Sequence, residues 1–170
     1  MNIVTALAIV IGILGGLATW LFLGPMGGLG LSIWAAFIAW GSFYHCGGGE
    51  KGLQDAIAGA IWGAIMAGVA LYLLPIAGNG ALGAGLVVGA TVLVMILGAH
   101  IPLFSAIPAA VYGYASTAAF ALLNGDKAAL MATNVASSPV LNIIVSMAIG
   151  AVFGYVSQKV AGSLASTAPA

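Results

Sequence analysis

Six apolar runs, at about 3–23, 30–46, 53–74, 81–99, 103–123 and 138–158, leave little choice of fold, because apart from His45 at the end of the second and Asp55 at the start of the third none holds an acidic or basic side chain. Each is near the roughly 20 residues a helix needs to cross about 30 Å of hydrocarbon. Only three basic and three acidic residues occur among 170, and the apolar set makes up 63%. Soluble domains carry roughly 25% charged residues, so this chain is expected in lipid, as an all-α polytopic bundle of six transmembrane helices. The gaps between runs are "GPMGG", "GGGEKG", "PIAGNG", "HIP" and "NGDK", the residue types that stop helices or turn chains. The connection 124–137, "NGDKAALMATNVAS", is longer than a turn and is open to three readings: re-entrant, interfacial or loop.

The first run lacks a positive leader and is too long for a signal-peptide core, so it reads as a retained helix. One transmembrane domain is expected over 1–160, with halves about 1–76 and 77–160, followed by a short flexible tail at 161–170. Sliding the chain by 77 residues pairs Gly12 with Gly89, Pro25 with Pro102, Phe43 with Phe120, Gly48 with Gly125 and Leu53 with Leu130. Three spans per half is odd, so the second half would enter the membrane from the opposite side, as a 3+3 inverted repeat with Gly-interrupted helices. Lys51, Lys159 and the amino terminus then share one face and Lys127 lies on the other, which favours cytoplasmic termini. The small-residue pairs Gly12/Gly16, Gly59/Gly63, Gly85/Gly89 and Gly150/Gly154, with the run Ala60/Ala64/Gly68, have the spacing that lets backbones approach closely in lipid. They point to a tight bundle and to a homodimer or homotrimer.

Several chemistries are disfavoured. Two histidines scattered among helix ends build no hydrolytic triad, and no H-E-x-x-H or P-loop occurs, so an enzyme is not expected. His45 and His100 lack neighbours at ligand spacing, and Cys46 is the single cysteine, so neither a metal, a cofactor nor a disulfide is expected. Zero net charge without a basic cluster gives nucleic acid no footing. The partners that remain are membrane lipid and a small solute.

Half of the charge sits in one stretch, "SFYHCGGGEKGLQD", holding Glu50, Lys51 and Asp55. Before it, the second run places Trp34, Phe37, Trp40, Phe43, Tyr44 and His45 within twelve residues. An aromatic belt at the membrane interface suits Tyr44 but not Trp34 and Trp40 together, which a helix separates by about 9 Å. The alternative is that Trp40, Phe43 and Tyr44 wall a narrow path with His45, Glu50 and Asp55 at its mouth. Asp55 could equally cap the third helix. In the second half, Asn124, Asp126, Lys127, Asn134 and Asn142 form the matching polar set, with Asn124, Asp126 and Asn142 as its candidates for the path. Asn142 is the deepest, and bridging helices is its plain structural role. Tyr112, Tyr114, Ser116 and Thr117 add hydroxyls on the fifth span.

The break "GGGEKG" after an aromatic second span, in a six-span chain of this size, resembles a family of small bacterial inner-membrane proteins classed as a domain of unknown function. The resemblance covers about 3–158 and implies a multi-pass protein of the bacterial inner (cytoplasmic) membrane with a role in solute passage; it brings no binding or catalytic residues. A looser likeness runs to trimeric cation channels with paired Gly-rich breaks and an adjacent lysine; it matches Gly47, Gly48, Gly49 and Lys51, and here the lysine follows the glycines. The leading expectation is a channel or facilitator for a small neutral solute such as urea, a short amide or ammonia. The alternatives are a small secondary transporter or cation channel with a charged mouth, and a structural membrane subunit without a pathway.

Overall fold

A computed structural model describes residues 1–78, 80–124 and 130–166. Within them the chain forms six α-helices and no strand: α1 (Ile3–Leu23), α2 (Ile33–His45), α3 (Gly49–Leu73), α4 (Ala81–Leu97), α5 (Ile107–Leu123) and α6 (Pro139–Ser166). Each falls in one of the six apolar runs, so the all-α bundle stands. Four reach membrane-crossing length and hydropathy, α4 by adding the short turn that follows it: Ile3–Leu23, Gly49–Leu73, Ala81–His100 and Pro139–Ala165. Their length and composition are those of a membrane protein.

The other two helices are shorter than expected. At 1.5 Å per residue the 13 residues of α2 cover about 20 Å, well short of the roughly 30 Å of hydrocarbon. α2 begins only at Ile33, after a 3-10 turn, Gly27–Leu29, closed by Gly30 at φ 61, a left-handed conformation that suits glycine. A second 3-10 turn, Pro102–Phe104, shortens α5 in the same way. Local chemistry sets the helix ends. Asn2 Oδ1 accepts from the Val4 amide (2.8 Å) to cap α1, and Pro139 opens α6 at a position that needs no amide donor. After α2, Gly47 N donates to Tyr44 O and Gly48 N to Phe43 O, the paired closure that a left-handed glycine permits at a helix C-terminus.

The central helices are α3 and α6. Over half of the apolar stretch of α3 is buried (56%), against 11% of that of α4. α3 packs most extensively on α5, and α2 on α6; α1 flanks α6, and α4 flanks α3. In two of these interfaces glycine removes the side chain that would hold the backbones apart: a Cβ at Gly63 would run into Ala110, one at Gly113 into Ala60, and one at Gly150 into Ala36. Gly59 and Gly154 stand in the same seams, against Ala109 and Phe43. By contrast Gly12, Gly16, Gly85 and Gly89 meet nothing within 4 Å.

Side-chain pairings fix the helix directions. Ser32 at the start of α2 meets Asn142 and Ser146 of α6, and Trp40 and Tyr44 near its end meet Ser157, so α2 and α6 run parallel. Gly59 faces Ala106 and Ala109 while Gly63 faces Ala110 and Tyr114, so α3 and α5 are parallel as well. α3 and α6 are antiparallel: Gly68 touches Val140, whereas Ile57 shares a hollow with Val152 and Phe153. The α2–α3 turn and Lys159 therefore lie at one end of the bundle, here the charged end, joined by the first turns of α1, where Ala6 and Val10 pack on Ala161.

Candidate functional site

At the charged end the three glycines let α6 dock onto the α2–α3 turn. Gly47, Gly48 and Gly49 all have positive φ (89, 70 and 67°), and Gly49 N donates to Gln158 Oε1 at 2.7 Å. A Cβ on Gly48 would collide with the Gln158 amide, so the stretch excludes side chains twice over, by conformation and by contact. Gly48 occupies the N-cap position of α3 without a side-chain cap. Asp55 lies beyond the first turn and pairs with the exposed Lys51 one turn before it, which is a surface ion pair and not a cap. Glu50 is exposed in the first turn of α3, and Lys159 lies over the Tyr155 ring, 5.2 Å from its centroid. Burial pushes the Cys46 thiol above its ordinary value.

Trp40, Phe43 and Tyr44 of α2 turn toward α6. Trp40 is 5% and Phe43 0% exposed. The Trp40 ring packs on Phe153 and Phe37 at 5.6 and 5.7 Å between centroids, and Phe43 sits against Gly154 with Tyr44 and Tyr155 edge-on. A single hydroxyl holds the group: Ser157 Oγ donates to Gly154 O (2.7 Å), which leaves it to accept from Trp40 Nε1 (3.0 Å) and from the Tyr44 hydroxyl (2.8 Å). In this conformation Trp40 and Phe43 are core, with Tyr44 half-buried beside them.

Asn142, fully buried, ties two non-helical segments to α6. Its Nδ2 donates to Gly30 O (2.8 Å) and Val135 O (3.1 Å), its Oδ1 accepts from Ser32 Oγ (2.8 Å), and Ser146 Oγ accepts from Ser32 N (2.9 Å). This is the bridging role, made with segments flanking helices instead of with a helix face. Asn124 closes α5, its Nδ2 donating to Phe120 O at 2.8 Å. Asp126 lies outside the described residues, as does most of "NGDK". Asn142 and the cluster around His45 are at opposite ends of α2, so the structure does not bring the expected set into one site.

What α2 shares with α5 is a cleft of about 200 Å³, walled by Trp34 and Ile38 on one side and by Tyr112, Ala115, Ser116 and Ala119 on the other. At its edge His45 Nδ1 and the Tyr112 hydroxyl are hydrogen-bonded at 2.9 Å. Among the described residues two buried side-chain polar atoms have no hydrogen-bond partner, Ser42 Oγ and Ser116 Oγ. Ser42 has the weakly bonding thiol of Cys46 beside it, whereas Ser116 borders the cleft. Larger hollows of about 500 and 640 Å³ lie at the far end, by Tyr72 and Val140 and by Pro75 and Leu122, with no such orphaned group in their walls. No three His, Cys, Asp or Glu side chains converge to hold a metal among the described residues.

Ser157 and Ser116 carry this geometry. Ser116 was visible in the sequence as one hydroxyl among four on its helix. Nothing in the sequence singles out Ser157, whose partners lie more than a hundred residues away. Neither the curated proteins nor the solved structures contain a match to this chain. A family model, described as "Protein of unknown function (DUF1097)", matches residues 8–162, and with nearly the whole bundle inside that match the chain belongs to this family.

Proposed function

We propose that the protein is a channel or facilitator for a small neutral solute, built from two inverted three-helix halves. One observation carries the reading: exchanging α1 with α4, α2 with α5 and α3 with α6 maps the larger helix–helix contacts onto one another. α2 on α6 becomes α5 on α3, α1 on α6 becomes α4 on α3, and α2 on α3 becomes α5 on α6. The exchange also pairs the two short helices, each entered through a 3-10 turn. Phe43 and Phe120, one repeat apart in sequence, both belong to the central core. Inverted halves with interrupted segments meeting at their interface are the architecture of many transport proteins, and the path lies where those segments meet. Here that place is the α2–α5 cleft, and the path moves from the α2 rings to it.

A neutral solute suits this cleft better than an ion. None of its wall residues is charged. The charges among the described residues gather instead at the hydrated end, where Lys51 pairs with Asp55. An ion entering an uncharged slot would lose its hydration with nothing in exchange, while a small neutral molecule sheds water at modest cost. The bacterial cytoplasmic membrane fits as location, with Lys51, Lys159 and the amino terminus facing the cytoplasm. Stopped-flow shrinkage of proteoliposomes in urea, glycerol and salt gradients tests the reading. Urea passing faster than through empty liposomes, with salt retained, is expected; no solute above the empty-liposome rate would leave a structural membrane subunit.

A further inference from the structure

We infer that His45 and Tyr112 form a side-chain gate at the hydrated mouth of the α2–α5 cleft. The inference rests on the transport reading and adds how that path is closed. It starts from what holds the two walls apart. α2 is tied to α6 near both ends, through Ser32 to Asn142 and Ser146 and through Trp40 and Tyr44 to Ser157. α5 is locked to α3, because Gly59 and Gly63 of α3 and Gly113 of α5 leave no gap between the backbones. Each wall follows its own partner, and a hollow of about 200 Å³ remains between them. Among the described residues one side-chain hydrogen bond crosses from α2 to α5, that between His45 Nδ1 and the Tyr112 hydroxyl (2.9 Å, ring centroids 5.9 Å apart).

That bond is placed as a gate needs it. His45 is the last residue of α2 and is exposed, next to the glycine turn at the charged end, while Tyr112 is itself a wall of the cleft. With the ring hydrogen on Nε2, Nδ1 accepts from the tyrosine O–H, and the two rings together stand between the apolar hollow and water. The neighbouring tyrosine of α5 makes the contrast: the Tyr114 hydroxyl meets Thr91, which is 4% exposed, in a contact inside the bundle. A hydrogen bond within reach of water is weak, because water replaces it when it breaks. Tyr112 can therefore turn aside through its own side-chain torsions, a fast motion that asks neither helix to leave its partner.

The test uses the full chain in liposomes with Cys46→Ala and Ala115→Cys, which places a small thiol in the cleft about one turn past Tyr112. A positively charged, membrane-impermeant methanethiosulfonate reaches that thiol only through water. Modification is expected to be slow with the gate intact and about fivefold faster with Tyr112→Phe, which keeps the ring and drops the hydroxyl. That factor corresponds to about 1 kcal/mol, one net hydrogen bond. His45→Leu gives the same acceleration, and His45→Asn, whose amide oxygen can stand where Nδ1 stood, stays slow. A thiol at Ala77→Cys, exposed at the far end, reacts at one rate in all of these backgrounds. Urea flux rises with Tyr112→Phe and with His45→Leu. Equal rates at position 115 with and without the Tyr112 hydroxyl, or a rate in the intact gate that matches Ala77→Cys, overturn the gate even when the chain conducts urea. A fivefold gain in access with urea flux at the empty-liposome level throughout keeps the gate and overturns the transport reading.

Discussion

At the scale of single residues, the α2 rings are held by a bond network whose removal is measurable. Ser157→Ala strips Trp40 Nε1 and the Tyr44 hydroxyl of their shared acceptor. Interhelical hydrogen bonds in membranes average about 0.6 kcal/mol and reach about 1.7, so a loss of about 1–2 kcal/mol is expected in an unfolding titration in detergent. Trp40→Ala removes a buried ring and is expected to cost about 3–5 kcal/mol. If Trp40→Ala instead keeps full stability and alters which solutes pass, the ring belongs to the path after all. Asp55→Asn behaves differently. Its partner Lys51 is 69% exposed, and an exposed i,i+4 pair contributes under about 1 kcal/mol, so the unfolding midpoint hardly moves. The Cys46 thiol reports on its own burial: a raised thiol pKa leaves less thiolate at neutral pH. Maleimide labelling is therefore expected to be slower than for a free cysteine at pH 7 and to catch up only as the pH rises past the ordinary thiol range. Equal rates at pH 7 would show the thiol to be open to water.

At the scale of elements, the seams and the outer faces make opposite predictions for the same substitution. Gly63→Val and Gly150→Val each place a branched side chain where the facing backbone already stands, against Ala110 and Ala36, and are expected to abolish the folded peak in size-exclusion chromatography. Gly85→Val faces open space and is expected to leave the bundle folded. A Gly85→Val bundle that falls apart would mean that this face is covered by a second copy. The helices themselves were legible because their ends are written in glycine, proline and asparagine, and their interiors in the near absence of charge. Less legible was the shortening of α2: the run from residue 30 reads as one apolar block, and its first three residues, from the left-handed Gly30 to Ser32, precede the helix. Equally hidden was which glycine spacings are seams. Gly12/Gly16 and Gly59/Gly63 have the same pattern, and the difference between them lies in what faces them, which is set by residues far away in sequence. The cleft was half visible, since Trp34, Tyr112 and Ser116 stood out singly, but their meeting depends on the crossing of α2 and α5.

For the molecule as a whole, the helix directions are those that the proposed inverted repeat requires. α3 and α6 are the long central helices of the two halves and run antiparallel, while each short helix runs parallel to the long helix of the other half. Two halves related by an axis along the membrane normal would instead set α3 and α6 parallel. On the proposed inverted arrangement the α2–α3 turn lies at one membrane face and the segment before α6 at the other. In a Cys46→Ala background, thiols at Lys51→Cys and Lys159→Cys are then expected to react with a membrane-impermeant maleimide from one side, and thiols at Ala77→Cys and Thr133→Cys from the opposite side. All four positions are exposed. On the orientation proposed from lysine placement the first pair is cytoplasmic, so intact cells should label Ala77→Cys and Thr133→Cys while permeabilised cells label all four. Labelling of Lys51→Cys and Thr133→Cys from the same face would break the exchange of halves. With it would go the argument that the two short helices meet at a conduction path.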